Sequence, residues 1–230
     1  MSRDVATTFD RWAETGEDAA MEEEHGDVFR QVLAEMAIRP GEKVLDLGCG
    51  NGWSTRLLAR AAAGAQAVGV DLSPGMIARA EELHSFTIRA RYELASFEEL
   101  EFEDASFDRA FSMEALYYAR DLDRALSEIH RVLKPGGTLD AVVDYYEGRP
   151  GTSGWPAAAG LPIHLLGEGE WRAALERAGF QEPAGRRVVD RRGPGDEAAF
   201  EPDAWYPDFA TRAACHEAGS LWLRAVRTTP

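Results

Sequence analysis

Apolar runs of strand length alternate with amphipathic runs of helical length along most of the chain. Lys43–Gly48 and Ala67–Asp71 are short apolar runs typical of buried strands, and Trp53–Ala63, between them, has helical spacing. This order predicts one βαβ unit. The pair Ser73-Pro74 then predicts an N-cap and the first position of a helix that runs to about Leu83.

The alternation continues toward the C-terminus. Further strands are predicted over Phe86–Tyr92, Phe107–Met113, Thr138–Asp144, Arg186–Val189 and Leu221–Val226, and further helices over Leu122–Leu133 and Glu170–Ala178. The first forty residues are helical in composition, up to the stop at Pro40-Gly41. No helix is needed between the last two strands.

Strands and helices in this order are typical of an α/β fold. We predict a Rossmann-like, open, mostly parallel seven-stranded sheet with helices on both faces and an antiparallel last strand. The 230 residues, 45% of them apolar, suit a single domain over residues 1–230 with a sizeable core.

The charge balance argues against one class of partner. The chain has 25 Lys and Arg against 40 Asp and Glu, a formal net charge of −15. Seven carboxylates and no Lys or Arg fall between Tyr92 and Asp108. A polyphosphate would be repelled, so we expect no nucleic-acid partner. A high-salt habitat would also account for such an acidic surplus.

The apolar and cysteine patterns indicate where in the cell the protein is expected. The longest uncharged stretch, Gly151–Gly167, is interrupted by prolines and glycines, so no membrane insertion is expected. Cys49 and Cys215 make no spacing typical of zinc binding or of a disulfide framework. We therefore expect a cytoplasmic protein without a metal.

The most specific chemical signal is the run Val44-Leu45-Asp46-Leu47-Gly48-Cys49-Gly50-Asn51-Gly52. A strand with an acid near its end leads into three alternate glycines, where side chains would keep a ligand away from the backbone and from the amides that begin the next helix. Asp71 ends the second strand, where a carboxylate accepts hydrogen bonds from both hydroxyls of a ribose. These features predict a nucleoside-bearing ligand. The alternative is a tight turn that binds nothing.

The acid at position 46 distinguishes between two classes of nucleoside ligand that the motif could bind. Dinucleotide sites usually show G-x-G-x-x-G without an acid two residues before the first glycine, whereas this chain has D-x-G-x-G-x-G. An anion there disfavours a pyrophosphate and favours an ammonium group. S-adenosylmethionine carries an ammonium, a ribose and a cationic sulfonium, so it fits this motif better than a nicotinamide dinucleotide.

Four segments together resemble one protein family. They are VLDLGCGNG, GVDLSPGMIARAEE, the stretch Leu100–Asp108, and Glu128–Gly137. The chain resembles the class I S-adenosylmethionine-dependent methyltransferases over about Lys43 to Val143, in particular the small-molecule branch similar to the ubiquinone/menaquinone-biosynthesis C-methyltransferases.

The resemblance implies contacts to S-adenosylmethionine, with S-adenosylhomocysteine as product. By position, the cofactor-binding residues correspond to Asp46, Gly48, Gly50, Gly52, Asp71, Leu72, Ser96, Phe97 and Ser112. The first four are expected at the methionine portion, Asp71 at the ribose and Leu72 beside the adenine. Ser96 stands where the family often has an acid that binds the adenine amino group, and Phe97 is expected to pack on the ring. Ser112, with Met113, is expected to border the methyl group.

Methyl transfer is an in-line displacement, so alignment and exclusion of water are the main tasks of the protein. A hydroxyl, amine or acidic-carbon acceptor also needs a base. The catalytic candidates are Glu114 and Tyr117, which follow the fourth strand, and His25. Alternatively, Tyr117 packs in the core and His25 belongs to a solvated charge run. Further candidates are Tyr118, Asp144, Tyr145, Tyr146 and His164.

The chain is thus expected to be a methyltransferase for a small-molecule acceptor, active as a monomer or homodimer. Residues 1–40 are expected to form a helical lid, 41–146 the cofactor-binding core, 147–169 an insertion on the acceptor side, and 170–230 the C-terminal helix and last strands. The alternatives are an S-adenosylmethionine-binding protein without turnover and, less favoured, a nicotinamide-dependent oxidoreductase.

Overall fold

The computed structural model describes residues 2–228, with side chains from residue 5 onward. Its strands are β1 (Lys43–Leu47), β2 (Gln66–Asp71), β3 (Ala90–Leu94), β4 (Phe107–Met113), β5 (Leu133–Val143), β6 (Phe180–Val188) and β7 (Ser220–Arg227). Its α-helices are α1 (Ser2–Thr15), α2 (Met21–Met36), α3 (Trp53–Arg60), α4 (Pro74–Glu82), α5 (Leu122–Val132), α6 (Trp155–Ala159), α7 (Glu168–Arg177) and α8 (Phe209–Ala218).

The seven described strands form one sheet in the order β3-β2-β1-β4-β5-β7-β6. The pairs β1–β2, β1–β4, β2–β3 and β4–β5 are parallel. Strand β7 is antiparallel to both of its neighbours, β5 and β6. The predicted α/β fold, with a mostly parallel sheet and an antiparallel last strand, is confirmed.

Helices cover both faces of this sheet because successive strand residues point to opposite sides. Leu45 belongs to a core cluster that also holds Trp171 of α7, whereas its neighbour Val44 belongs to a second cluster with Phe29 of α2. All four side chains are 0–1% exposed. The helices therefore bury the sheet from both sides and leave its strand ends free to build a site.

Caps that the sequence indicates set the start of two helices. The Ser73 hydroxyl accepts a hydrogen bond from the Met76 N–H at 3.0 Å, and Pro74 is the first residue of α4. The Asp121 carboxylate accepts one from the Arg124 N–H at 3.0 Å, at the start of α5. Side chains that satisfy these free amides fix the helix starts.

The third strand lies later in the chain than predicted. The apolar run Phe86–Ile88 precedes β3, and Phe86 is 100% exposed. Strand β3 lies at the sheet edge and pairs only with β2, starting where Ala90 is the partner of Ala67. Pairing with the neighbour, rather than the local apolar run, sets where an edge strand begins.

Two predictions near the C-terminus were wrong. Strand β6 begins at Phe180 instead of Arg186, and its Pro183 lies within an irregularity of the pairing with β7, where a missing N–H is tolerated. Helix α8 lies between β6 and β7, where none was expected, and begins at the N-cap Asp208, which accepts a hydrogen bond from the Thr211 N–H. Within residues 2–228, no helix is long and apolar enough to cross a bilayer.

Candidate active site

A cavity of about 810 Å³ lies at the carboxyl ends of β1, β2, β4 and β5. One side, the glycine wall, consists of Gly48, Gly50, Asp71, Leu72, Ser96 and Phe97. The other side, the aromatic wall, consists of Phe9, Trp12, Tyr117, Tyr118, Trp155 and Trp205. Glu114 and His25 also line the cavity, whereas Asp46, Gly52 and Ser112 do not.

The three motif glycines have different structural surroundings. Gly48 has a φ of 70°, and a Cβ there would lie 2.2 Å from the Cβ of Ala115. Gly50 has a φ of 52°, and a Cβ there would lie 3.2 Å from the sulfur of Met21. Gly52 is the N-cap of α3, with a φ of 76°, and a Cβ there would lie 2.5 Å from the ring of Tyr92. It does not line the cavity, and its contact to the ligand stays a prediction.

Asp46 lies behind the glycine wall. It is 1% exposed, and its Oδ2 accepts hydrogen bonds from the hydroxyls of Ser54 and Thr55, each at 2.6 Å. Burial raises the pKa of Asp46 to about 6, although the two hydroxyls oppose this. Asp46 thus holds the first turn of α3 and does not line the cavity, whereas Ser54 does. Its contact to the methionine portion stays a prediction.

Asp71 lies where the motif predicts it, at the end of β2. Its Oδ2 accepts a hydrogen bond from the Gly50 N–H and its Oδ1 one from the Ser73 N–H, both at 2.9 Å. Burial raises the pKa of Asp71. The two amides fix the carboxylate in place, and each oxygen keeps a lone pair for a further donor.

Ser96 and Phe97 complete the glycine wall after β3. The Ser96 hydroxyl accepts a hydrogen bond from the Glu98 N–H at 3.2 Å. The Phe97 ring lies 3.8 Å from the position that a Cβ on Gly48 would take. The structure thus brings both predicted residues to the same wall as the glycine loop.

Ser112 is used for structure rather than for the cavity. Its hydroxyl donates a hydrogen bond to the Leu47 carbonyl at 3.1 Å, and the residue is 1% exposed. This bond joins β4 to β1, and Ser112 does not itself line the cavity. Its position beside the methyl group stays a prediction. The next two residues, Met113 and Glu114, line the cavity.

Glu114 is an enclosed acid with an unusual backbone. Its φ is 55°, and its N–H donates to the Val142 carbonyl at 3.0 Å. The Tyr117 hydroxyl donates to Oε2 at 2.7 Å, whereas Oε1 is buried without a hydrogen-bond partner. Burial and the nearby charge of Asp144 raise the pKa of Glu114 well above its usual range. Such a group has a high affinity for a proton.

A buried ion pair lies beside Glu114. Arg149, with a side chain 6% exposed, places Nη1 2.5 Å from Oδ1 of Asp144. His25 Nδ1 lies 4.0 Å from the other oxygen, Oδ2. Although burial opposes ionisation, Arg149 and His25 hold the pKa of Asp144 below its usual range. His25 thus lies beside Asp144 at the cavity. Its side chain is 26% exposed, so it is not fully solvated.

Comparison with known proteins shows the family of this chain. A family model described as a methyltransferase domain matches residues 45–140. The sterol 24-C-methyltransferase of Yarrowia lipolytica is 39% identical over 125 residues, which cover 50% of this chain and 32% of that protein. The chain spans between about a third and a half of the length of the first curated relatives that it matches.

Two further relatives are matched over most of their length. A methyltransferase of Synechocystis is 37% identical over 158 residues, which cover 64% of this chain and 71% of that protein. A chain of the complex between the Haloferax volcanii Trm112 methyltransferase activator and a methyltransferase is 30% identical, with a TM-score of 0.88. That match covers 96% of this chain and 98% of the other.

The chain belongs to the class I S-adenosylmethionine-dependent methyltransferases. This confirms the family predicted from the glycine motif and Asp71. The cofactor of the family is S-adenosylmethionine, so the nicotinamide alternative is not favoured.

The methyltransferase also uses contacts that its sequence did not reveal. Asn51, in the glycine loop, donates hydrogen bonds to the carbonyl and to Oδ2 of Asp18, both at 2.9 Å. Asp10 accepts hydrogen bonds through Oδ1 from the Ser73 hydroxyl at 2.5 Å and the Gly75 N–H at 2.8 Å. These bonds attach the first twenty residues to the loops that follow β1 and β2. No local pattern marks them, because each partner is far away in the sequence.

Proposed function

We propose that this methyltransferase binds S-adenosylmethionine on the glycine wall and transfers its methyl group to a small molecule on the aromatic wall. The observation that carries the proposal is that one cavity extends from Asp71, at the end of β2, to Glu114, after β4. When bound, the cofactor supplies an electrophilic methyl group on a cationic sulfur. The protein aligns the acceptor, excludes water and takes up a proton.

The groups of the glycine wall fit the cofactor. The lone pairs that remain on Asp71 suit the two ribose hydroxyls, and Leu72 and Phe97 offer apolar surface to the adenine. Ser96 offers a hydroxyl to the adenine amino group. Asp46 contributes indirectly, by holding the first turn of α3.

The charge of the cavity also favours a cationic ligand. Among the described residues that line it, nine are Asp or Glu and four are Arg. A negative lining attracts the sulfonium and repels phosphate groups. This agrees with the choice of S-adenosylmethionine over a dinucleotide.

The catalytic candidates have distinct proposed roles. Glu114 accepts a proton from the acceptor, because its environment favours the protonated carboxyl group. Tyr117 positions Glu114 through its hydrogen bond to Oε2. His25 acts through Asp144, whose charge it helps to balance.

The proposal keeps the predicted division of the chain. Residues 1–40 form a lid over the cofactor, and the bonds of Asp10 and Asp18 to the core support this. Residues 147–169 form the acceptor-side insertion, which contributes Trp155 to the aromatic wall. Residues 41–146 and 170–230 form the core and the C-terminal part. The cytoplasmic location and the choice between monomer and homodimer remain predictions.

Titration calorimetry with S-adenosylhomocysteine and S-adenosylmethionine tests the proposed function, with NADH as the control ligand. We expect one-to-one binding of both sulfur compounds and no binding of NADH. Folded protein, freed of any carried-over ligand, that binds neither sulfur compound would contradict the proposal.

A protein activator is the proposed partner. The support is the likeness, across 98% of its length, to a methyltransferase solved with the Trm112 activator. A suitable surface lies at the edge strand β3, where Leu83, Phe86 and Leu94 are 43, 100 and 57% exposed. Exposed apolar side chains at an unpaired strand edge are typical of a docking surface.

Size-exclusion chromatography with a Trm112 protein tests this partnership. We expect a one-to-one complex with the wild type and none with Phe86→Asp. Leu165→Asp, at an exposed apolar residue away from β3, is the matched control and should still form the complex. A complex that survives Phe86→Asp would exclude this surface, and no complex with the wild type would exclude the partner.

A further inference from the structure

The rings of the aromatic wall form a closed circuit of contacts. In order, the neighbours are Tyr118, Phe9, Trp12, Trp205, Trp155, Tyr145 and Tyr117, and the last ring contacts the first. Consecutive ring centroids are 4.6 to 6.4 Å apart. All except Tyr145 line the cavity. Five separate segments of the chain thus meet at one aromatic part of the cavity, the aromatic chamber.

The basic side chains in this cavity are already neutralised or exposed. Of the four arginines in the described lining, Arg149 and Arg192 each pair with an aspartate at 2.5 Å. Arg120 and Arg212 are exposed residues. The described part of the cavity lining therefore offers no enclosed, unpaired arginine or lysine to bind a carboxylate or a phosphate.

The acid of the chamber, Glu114, makes no direct ion pair with the residues that the structure describes. Glu114 makes no ion pair within 4 Å among the described residues, and its Oε1 has no hydrogen-bond partner. The titratable groups that face it are Tyr117 and Tyr118 from its own turn, Asp144 and Arg149 from the segment after β5, and His25 from α2. Arg149 pairs directly with Asp144, and its charge lowers the pKa of Glu114 only in part, since burial and Asp144 outweigh it.

Aromatic faces together with a carboxyl group that makes no direct ion pair are the surroundings that an ammonium group prefers. We propose that the acceptor is an amine on a flat, apolar body, and that its nitrogen docks at Glu114 within the aromatic wall and is methylated there. This inference rests on the proposed function.

The proposed reaction balances as follows. The bound ammonium gives a proton to the Glu114 carboxylate and becomes a neutral amine. The nitrogen lone pair then forms the new C–N bond, while the C–S bond breaks with its electron pair remaining on sulfur. The products are a methylated ammonium, S-adenosylhomocysteine and a protonated Glu114, whose proton passes to solvent.

One consequence can be measured without turnover. Burial and the charge of Asp144 raise the pKa of Glu114 in the absence of an amine. An incoming positive charge favours the carboxylate, so binding releases as much as one proton per amine. Calorimetry in two buffers with different ionisation enthalpies measures this release. Glu114→Gln has no proton to lose and should show none.

The test uses matched arylalkyl probes on the protein saturated with S-adenosylhomocysteine. Phenethylamine and naphthylethylamine are each compared with the alcohol and the carboxylate of the same skeleton. Binding is followed by the fluorescence of Trp12, Trp155 and Trp205, which lie on the aromatic wall. We expect both amines to bind about tenfold more tightly than the alcohols, with the carboxylates weakest.

Two variants assign the preference to one residue. Glu114→Gln should remove the preference for amines and leave binding of S-adenosylhomocysteine unchanged. Glu23→Gln is the matched control, because Glu23 is exposed and lines the same cavity, and it should keep the preference. With S-adenosylmethionine in place of the product, mass spectrometry should detect an N-methylated amine.

The outcomes separate this inference from the proposed function. If S-adenosylhomocysteine binds but no amine does, or the alcohols or carboxylates bind as tightly, the amine inference is overturned and the proposed function stands. A preference that persists in Glu114→Gln would also overturn it. If S-adenosylhomocysteine does not bind at all, the proposed function fails first.

Discussion

The two walls of the cavity are built in different ways. The glycine wall comes from the ends of β1, β2 and β3, neighbouring strands in both sequence and space. The aromatic wall combines residues from α1, the turn after β4, α6 and the segment before α8. A wall made of local turns is visible as a motif, whereas a wall made of distant segments exists only once the chain has folded.

The walls also differ in how their polar groups are satisfied. On the glycine wall, both oxygens of Asp71 accept backbone hydrogen bonds. Beside the aromatic wall, Glu114 keeps one oxygen without a partner. The carboxylate of the first wall is therefore held by the protein itself, and we propose that a ligand completes the second wall. Substitutions should separate the two walls by the ligand that each one affects.

Gly48→Val should break the glycine wall most severely. The new Cβ would lie 2.2 Å from the Cβ of Ala115, at a φ of 70° that a branched residue rarely adopts. We expect a loss of at least about 3 kcal/mol in the free energy of unfolding and no binding of S-adenosylhomocysteine. Urea denaturation and calorimetry measure the two effects.

Gly154→Ala is the control for this substitution. Gly154 has a φ of −83°, and nothing lies within 4 Å of its Cβ position. This variant should be as stable as the wild type or slightly more so. Normal ligand binding by Gly48→Val would show that the loop is only a turn.

Asp46, behind the glycine wall, should make the free energy of unfolding depend on pH. Its pKa is raised to about 6 in the folded protein, from an ordinary value of 3.8, so the folded state holds its proton more tightly. The contribution of Asp46 to the free energy of unfolding is therefore fully present below pH 4. It is lost as the pH rises through about 6, a decrease of about 3 kcal/mol.

Asp46→Asn should remove this part of the dependence on pH. Chemical denaturation from pH 4 to pH 7 measures it, with Asp123→Asn, at an exposed residue, as the control. An equal decline in stability for Asp46→Asn and the wild type would contradict the assignment.

Asp71→Ala should weaken the glycine wall without unfolding it. The variant loses a carboxylate contact to the ribose, which is worth about 1.5–3 kcal/mol, so S-adenosylhomocysteine should bind roughly 10- to 150-fold more weakly. Calorimetry measures the affinity, and Glu103→Gln, at an exposed acid, is the control. Unchanged affinity in folded Asp71→Ala would mean that the ribose binds elsewhere.

Asp10→Ala should have the smallest effect. It loosens the attachment of α1, which carries part of the aromatic wall, to the residues that follow β2. It removes the two bonds that hold α1 at the start of α4, at a cost of about 1 kcal/mol. We expect about fivefold weaker binding of S-adenosylhomocysteine and faster proteolysis near Gly16. Equal rates of proteolysis in the variant and the wild type would show that these bonds do not hold the lid.

Sequence and structure agree best where bonds are local. The N-cap at Ser73 bonds to Met76, and Asp71 bonds to Ser73 as well as to the more distant Gly50. The positive φ of Gly48 and Gly50 is predictable from the glycines themselves. Glu114 and Tyr117 could be proposed because they follow a strand whose end was predicted correctly.

Sequence and structure agree least where partners far away in the sequence determine the position of a residue. Ser112 lies near the end of β4 as the sequence predicts, but the bond of its hydroxyl to β1 has no local signature. The ion pair of Arg149 with Asp144 and the contacts of Asp10 have no local signature. Strand β3 shifted because its neighbour, β2, sets its register.

The most direct test of the two-wall account is calorimetry with S-adenosylhomocysteine on the wild type, Asp71→Ala and Glu114→Gln. The account predicts one-to-one binding to the wild type, binding at least tenfold weaker to Asp71→Ala, and binding within about twofold of the wild type for Glu114→Gln. Equal weakening by both substitutions would contradict the separation of the walls, and no binding to folded wild type would contradict the site itself.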